Sequence, residues 1–305
     1  MSESSVPGYI MEFPSPTDKQ ELTRQIEELS KLLASPPEDC PRNMARIKLA
    51  DLYVGRNEPG DYMKADKAYS EVLSASLPRD REHAYALIGK AELSMAGSDP
   101  ARVKASIDAC RSAVAALSND KSDFFWGKGS VLLAELLIKA GTDSSRREGL
   151  DIYESLTSST AAPRYFRMRA VVGKIELINY FFKELLEAKA EQSIDECQEA
   201  LDFLKDERPN DYFYLKGLIV LSEVLLWKDK KSMSAKAGKL LTEVVNSEAA
   251  GDDLRARASL DLAEISSPPL ARSLIKGVRR MEGIDPYLLN KAKAIEGALK
   301  DRPQA

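Results

Sequence analysis

The sequence predicts an all-α fold: an α-α solenoid of about six antiparallel helix pairs, closed by a capping helix at each end. Three observations predict it. An eight-residue phrase recurs six times, its starts separated by 41, 43, 41, 47 and 41 residues. A second phrase follows every copy of the first. The composition is rich in Ala, Leu, Glu and Lys with only 7% aromatic residues, which favours helix over sheet.

Taken in order, residues 1–18 are polar and carry Pro7, Pro14 and Pro16, so they are expected to form a flexible tail. Within them Tyr9 to Phe13 is apolar enough to dock onto a groove. The start lacks the basic run and apolar core of a signal peptide. Residues 19–305 are expected to form the single solenoid. Residues 19–34 place Leu22, Ile26, Leu29 and Leu33 on one stripe, as a capping helix would. Residues 286–300 read as the helix that covers the other end.

The first phrase runs small, any, aliphatic, any, any, small (once Ile), acidic, aliphatic. Its copies are ARIKLADL (45–52), ALIGKAEL (86–93), GSVLLAEL (129–136), AVVGKIEL (170–177), GLIVLSEV (217–224) and ASLDLAEI (258–265). Its first and last positions are two helical turns apart on one face, and it lacks the strict alternation of a strand. The second phrase centres on Ala65/Tyr69/Val72, Ser106/Cys110/Ala113, Gly149/Tyr153/Leu156, Ser193/Cys197/Ala200, Ala237/Leu241/Val244 and Ala271/Ile275/Val278. That i, i+4, i+7 spacing is the stripe of an amphipathic helix.

Turn signals separate the phrases at GRNEPG (55–60), Gly97 to Pro100, Gly141 to Ser144 and Ser266 to Pro269. At the second of these, Gly97 suits a helix end, Ser98 or Asp99 a cap, and Pro100 a first turn. Each repeat is therefore helix A, a turn, then helix B. Small residues at two fixed places in helix A let neighbouring backbones approach. One pair cannot bury its apolar face alone, so the pairs must stack.

The first repeat, Leu49-Ala50-Asp51-Leu52-Tyr53, a Gly-containing turn, then Tyr62 to Tyr69, resembles tetratricopeptide repeat (TPR) proteins and their TPR-like relatives. The resemblance covers roughly 42–282. The period here is longer than that family's, which is about 34 residues, so longer helices are expected. The resemblance implies a right-handed superhelix whose concave face, lined by A helices, binds a peptide, a helix or a protein surface.

With 44 basic against 48 acidic residues, the chain has no basic footprint for nucleic acid. The most apolar stretch, Leu218 to Trp227, is too short to span a bilayer and holds Glu223. Cys40, Cys110 and Cys197 are odd in number and form no CxxC, which suggests neither disulfides nor zinc, and reduced thiols in the cytoplasm. His83 is the lone histidine, so no His–His metal site and no His-based triad recurs with the repeat. No cofactor motif is found.

The phrase's acidic position falls at Asp51, Glu92, Glu135, Glu176, Glu223 and Glu264. Seven residues before the last four lie Lys128, Arg169, Lys216 and Arg257; the first two repeats have Met44 and Tyr85 there. One reading is an anionic track for a basic segment of a partner. The other is that each carboxylate is partly buried and bonded to the neighbouring repeat, because a position fixed between two packing positions is usually fixed by packing; a cation two turns along the same helix is too far for a direct bond, though a neighbouring repeat could bring one closer. Aromatic residues open three successive A helices, at Phe124-Phe125-Trp126, Tyr165-Phe166 and Tyr212-Phe213-Tyr214, as interhelix core or as a strip for a peptide.

The expectation is a non-enzymatic cytoplasmic scaffold or adaptor for a protein or peptide partner, without nucleic acid, membrane or cofactor. The alternatives are an enzyme or small-ligand-binding protein with a site in the groove, and a self-assembling scaffold.

Overall fold

The structure, a computed structural model, describes residues 7–13, 18–95, 99–208 and 211–300. The described residues form helices and no strand. The chain divides into two compact units, Met1–Arg167 and Met168–Ala305.

In the first unit, α1 (Lys19–Ala34) packs on α2 (Arg42–Arg56), and the pairs α2/α3 (Asp61–Ala75), α4 (Arg81–Leu93)/α5 (Pro100–Ala116) and α6 (Phe124–Ala140)/α7 (Asp143–Ser158) follow. The A helix α4 also packs directly on α2 and on α6. Helix α8 (Arg164–Phe181) leads into the second unit, which holds α9 (Lys183–Glu207), α10 (Tyr212–Asn246), α11 (Asp252–Ile265), α12 (Pro268–Val278) and α13 (Pro286–Lys300).

All six copies of the first phrase lie on helices, and every second-phrase triplet is buried on the helix that follows or, for α10, on the same helix. The first-phrase core is equally regular. Its small first position and its aliphatic third position are buried in all six copies. Only the last position varies, with Leu93 and Ile265 half-buried.

Local chemistry sets the ends. Asn57 and Gly60 take left-handed conformations (φ 52° and 86°) in the turn after α2, and Gly141 does so (φ 79°) after α6. Asp99 accepts from the Ala101 N–H at 3.1 Å ahead of Pro100, as its position suggested; Gly97 and Ser98 lie outside the described residues. Thr142 and Ser145 form a reciprocal capping box on α7.

Two long helices bend or break without a glycine or proline at that point. Helix α10 breaks at Asp229 (φ −154°, ψ 91°), so one segment supplies both A and B helices of the fifth repeat. The Asp229 carboxylate accepts from the Lys231 and Ser232 N–H groups at 3.0 and 3.1 Å and caps the second arm. Helix α9 bends at Lys189 (φ −132°, ψ 20°). Its extra residues lie inside the 47-residue step between the fourth and fifth copies.

Two glycines show why the small positions matter. A Cβ on Gly129 would lie 2.8 Å from Ile88, and one on Gly217 would lie 3.1 Å from Val172. Ile88 and Val172 hold the same position of the preceding first phrase, so the same close approach is built once in each unit. Cys110 and Cys197, on the intervening B helices, donate to the carbonyls of these same glycines at 3.3 and 3.8 Å.

Of the stretch 1–18 expected as a tail, 1–6 and 14–17 lie outside the described residues. Residues 7–13 form a 3-10 turn, Gly8–Met11, followed by an extended segment laid against the first unit. Ile10 is 1% exposed.

Candidate functional site

The phrase's carboxylates and the cations seven residues before them are brought together, but between repeats. Lys128 on α6 reaches Glu92 on α4 at 2.8 Å and Asp51 on α2 at 3.1 Å. In the second unit Lys216 on α10 meets Glu176 on α8 at 2.7 Å. Arg257 on α11 takes Glu223 through two nitrogens at 3.0 and 2.9 Å and Glu176 at 2.5 Å. The rule is the same in both units: a cation reaches back to the carboxylate of the preceding repeat, and in two cases to the one before that.

Burial sharpens the charges. Burial alone would lower the Lys128 ammonium, but Glu92 and Asp51 outweigh it and hold it above its ordinary value. Burial likewise pushes the Glu176 carboxyl up, and Lys216 and Arg257 overcome that to hold it at about 2. Such groups are ionised together, and removing one leaves an uncompensated buried charge, which costs about 3–5 kcal/mol.

The remaining predicted residues are less enclosed. Glu135 is half-buried on α6. The Arg169 guanidinium lies 3.7 Å from the centre of the Phe213 ring. Glu264 keeps 40% of its side chain open, with Lys291 of the terminal helix at 3.4 Å. Glu92 keeps 32% open despite Lys128.

Sequence reasoning missed several members. Asn179 and Tyr180 both donate to Glu223 at 3.0 Å. Lys291 pairs with Asp261, whose carboxyl burial and the Glu223 charge push up to about 7 against the pull of Lys291. Lys48 is 1% exposed; its ammonium donates to the Glu12 carbonyl and sits 4.8 Å from the centre of the Phe13 ring. Lys48 and Asp261 share the fourth position of the phrase, where the other copies have Gly89, Leu132, Gly173 and Val220. A charge at an otherwise apolar or glycine position was the available signal.

The aromatic openings of the A helices are mostly core. Phe125, Trp126, Phe166, Phe213 and Tyr214 are buried, while Tyr212 is exposed. In the first unit Tyr85 stacks on Phe125 at 4.0 Å, and Phe13 lies 4.8 Å from Phe125 and 5.6 Å from Phe124. Asp123 organises this cluster. It accepts from the Phe125 and Trp126 N–H groups at 2.6 and 3.1 Å, from the Tyr85 hydroxyl at 2.5 Å and from Arg81.

The cysteines are inward. Cys110 and Cys197 are fully buried and burial pushes both thiols up to about 12, which opposes nucleophilic use. His83 is half-buried with Nδ1 3.2 Å from the Ser76 hydroxyl. A cavity of about 490 Å³ opens where α9 bends, beside Lys189, Glu191, Trp227 and Lys228. Among the described residues no helix is long and apolar enough to cross a membrane.

Comparison with known proteins finds no family model that matches the sequence and no significant match among curated proteins.

Proposed function

We propose that the chain is a non-enzymatic scaffold or adaptor of the cytoplasm that receives a peptide or protein segment along its A helices. The observation that carries this reading is the ion ladder. Carboxylates from successive A helices converge on shared cations, so each unit offers a pre-formed face that needs no partner to assemble. Pre-formed surfaces lose less on binding than surfaces that must order first. Glu92 and Glu264 stay partly open after pairing, which favours a segment with basic side chains. Such exposed pairs contribute about 0–1 kcal/mol each and act on orientation and encounter more than on affinity.

The test is capture of partners by the intact chain, followed by cross-linking to place the contact. Cross-links on α2, α4, α6, α8, α10 or α11 support the reading. Contacts confined to the B helices, or a large and specific thermal stabilisation by a metabolite with no protein captured, would replace it.

A further inference from the structure

Residues 7–13 touch α1, α2 and α6 of the first unit. The segment begins beside α1, where the Tyr9 hydroxyl donates to Glu28 at 2.8 Å. It buries Ile10 and ends with Phe13 against Phe124 and Phe125 at the start of α6. Between these points Lys48 of α2 takes the main-chain carbonyl of Glu12 and faces the Phe13 ring. An aliphatic residue is thus buried, an aromatic residue three further on meets α6, and the carbonyl between them meets Lys48 of α2. Met11 and Glu12 point their side chains to solvent and add nothing to the recognition.

The receiving surface is largely organised by other parts of the fold. Tyr85 stacks on Phe125, and Asp123 fixes both through its bonds to the Tyr85 hydroxyl and the Phe125 N–H. These contacts do not involve residues 7–13. Lys48 is the member of this surface that bonds to the segment directly, its enclosed ammonium donating to the Glu12 carbonyl.

We propose that this aromatic cradle is a recognition site for a partner segment carrying an aliphatic residue and a phenylalanine three positions later, and that residues 7–13 occupy it in cis as a competing copy. The proposal rests on the scaffold reading above and names the partner chemistry at one end of it. Four residues separate Phe13 from Asp18, at the start of α1. A link that short sets an effective concentration on the order of mM, so a free segment competes at a disadvantage until the tethered one is weakened.

The experiment uses the full-length chain and a fluorescein-labelled peptide, PGYIMEF, which copies residues 7–13. Wild-type and F13A chains are titrated and followed by anisotropy. The F13A chain should bind the peptide at least about tenfold more tightly than the wild type, because its own arm has lost its anchor. A peptide with alanine in place of the phenylalanine should bind neither chain. Equal affinities for the two chains, or no binding by about 1 mM, would overturn the proposal.

Should F13A lose helical circular dichroism, the wild type supplies the readout. Excess peptide should speed amide exchange at Ile10 and Glu12, whose N–H groups bond to the Pro7 and Tyr9 carbonyls. Unchanged exchange overturns the proposal equally. A wild-type dimer that F13A abolishes would assign the cradle to a second copy instead, against the partner assignment. Peptide uptake without any captured partner would spare the cradle and sink the scaffold reading; a partner cross-linked elsewhere on the A helices, with no peptide uptake, would do the reverse.

Discussion

Gly89 shows how tightly single positions are constrained. A Cβ there would fall 2.2 Å from the Cζ of Tyr69, whose ring is fully buried between helices. The enclosed ring or the α4 backbone would have to shift to admit it. G89A should therefore destabilise the protein by about 1–3 kcal/mol through overpacking, despite the better helix propensity of alanine. Urea unfolding followed by circular dichroism checks it; an unchanged or raised midpoint would show that the ring yields freely. The second phrase made the burial of Tyr69 legible. The partnership with Gly89 was not, because it joins a B helix to the next A helix across 20 residues.

At the scale of the element, helix starts do double duty. Asp123 caps α6 and also takes the Tyr85 hydroxyl from α4 and Arg81. An ordinary cap contributes about 1 kcal/mol, and the Tyr85 hydroxyl, which still accepts from Arg81 at 3.1 Å, would lose the acceptor of its proton, a loss of about 1–3 kcal/mol. D123A should then cost about 2–4 kcal/mol in urea unfolding, and a loss no larger than that of a simple cap would refute the link between α4 and α6. The helices themselves were legible because two phrases with helical spacing return in fixed order, and the turn residues Asn57, Gly60 and Gly141 mark where pairs fold back. The breaks at Lys189 and Asp229 were not legible, since neither carries glycine or proline. There the only local sign was an aspartate followed three residues later by Ser232. The ladder was half-legible. Spacing gave its members, and a direct bond between carboxylate and cation on one helix was excluded by distance, but only the stacking reveals that the cation reaches backwards. Asn179, Tyr180 and Lys291 lie outside the phrase, so its periodicity could not point to them.

Across the whole molecule, charge compensation shapes the response to pH. Glu176, held at about 2 in the folded protein against 4.5 as its ordinary value, adds stability above pH 4.5 that is lost as the pH falls toward 2. Asp261 works in the opposite sense. Its folded carboxyl titrates at about 7 rather than 3.8, so between these values the folded state keeps a proton that the unfolded chain has released. Stability from this group is complete below pH 3.8 and declines as the pH rises to about 7. The urea midpoint of D261N should lack that decline while keeping the acid limb. If the wild type and D261N fall in parallel between pH 4 and 7, the shifted carboxyl is not the cause.

The backward reach of the cations gives the ladder a direction. Met44 and Tyr85 stand in the first two copies where the later ones place a cation. After the sixth copy, Lys291 of α13 pairs with Asp261 and Glu264. A chain made from its amino end therefore exposes each acid before the base that will quench it has been synthesised. Asp51 waits 77 residues for Lys128, and Glu176 waits 81 for Arg257. A nascent chain thus carries these acids as negative charge until Lys128, Lys216 and Arg257 are made and discharge them.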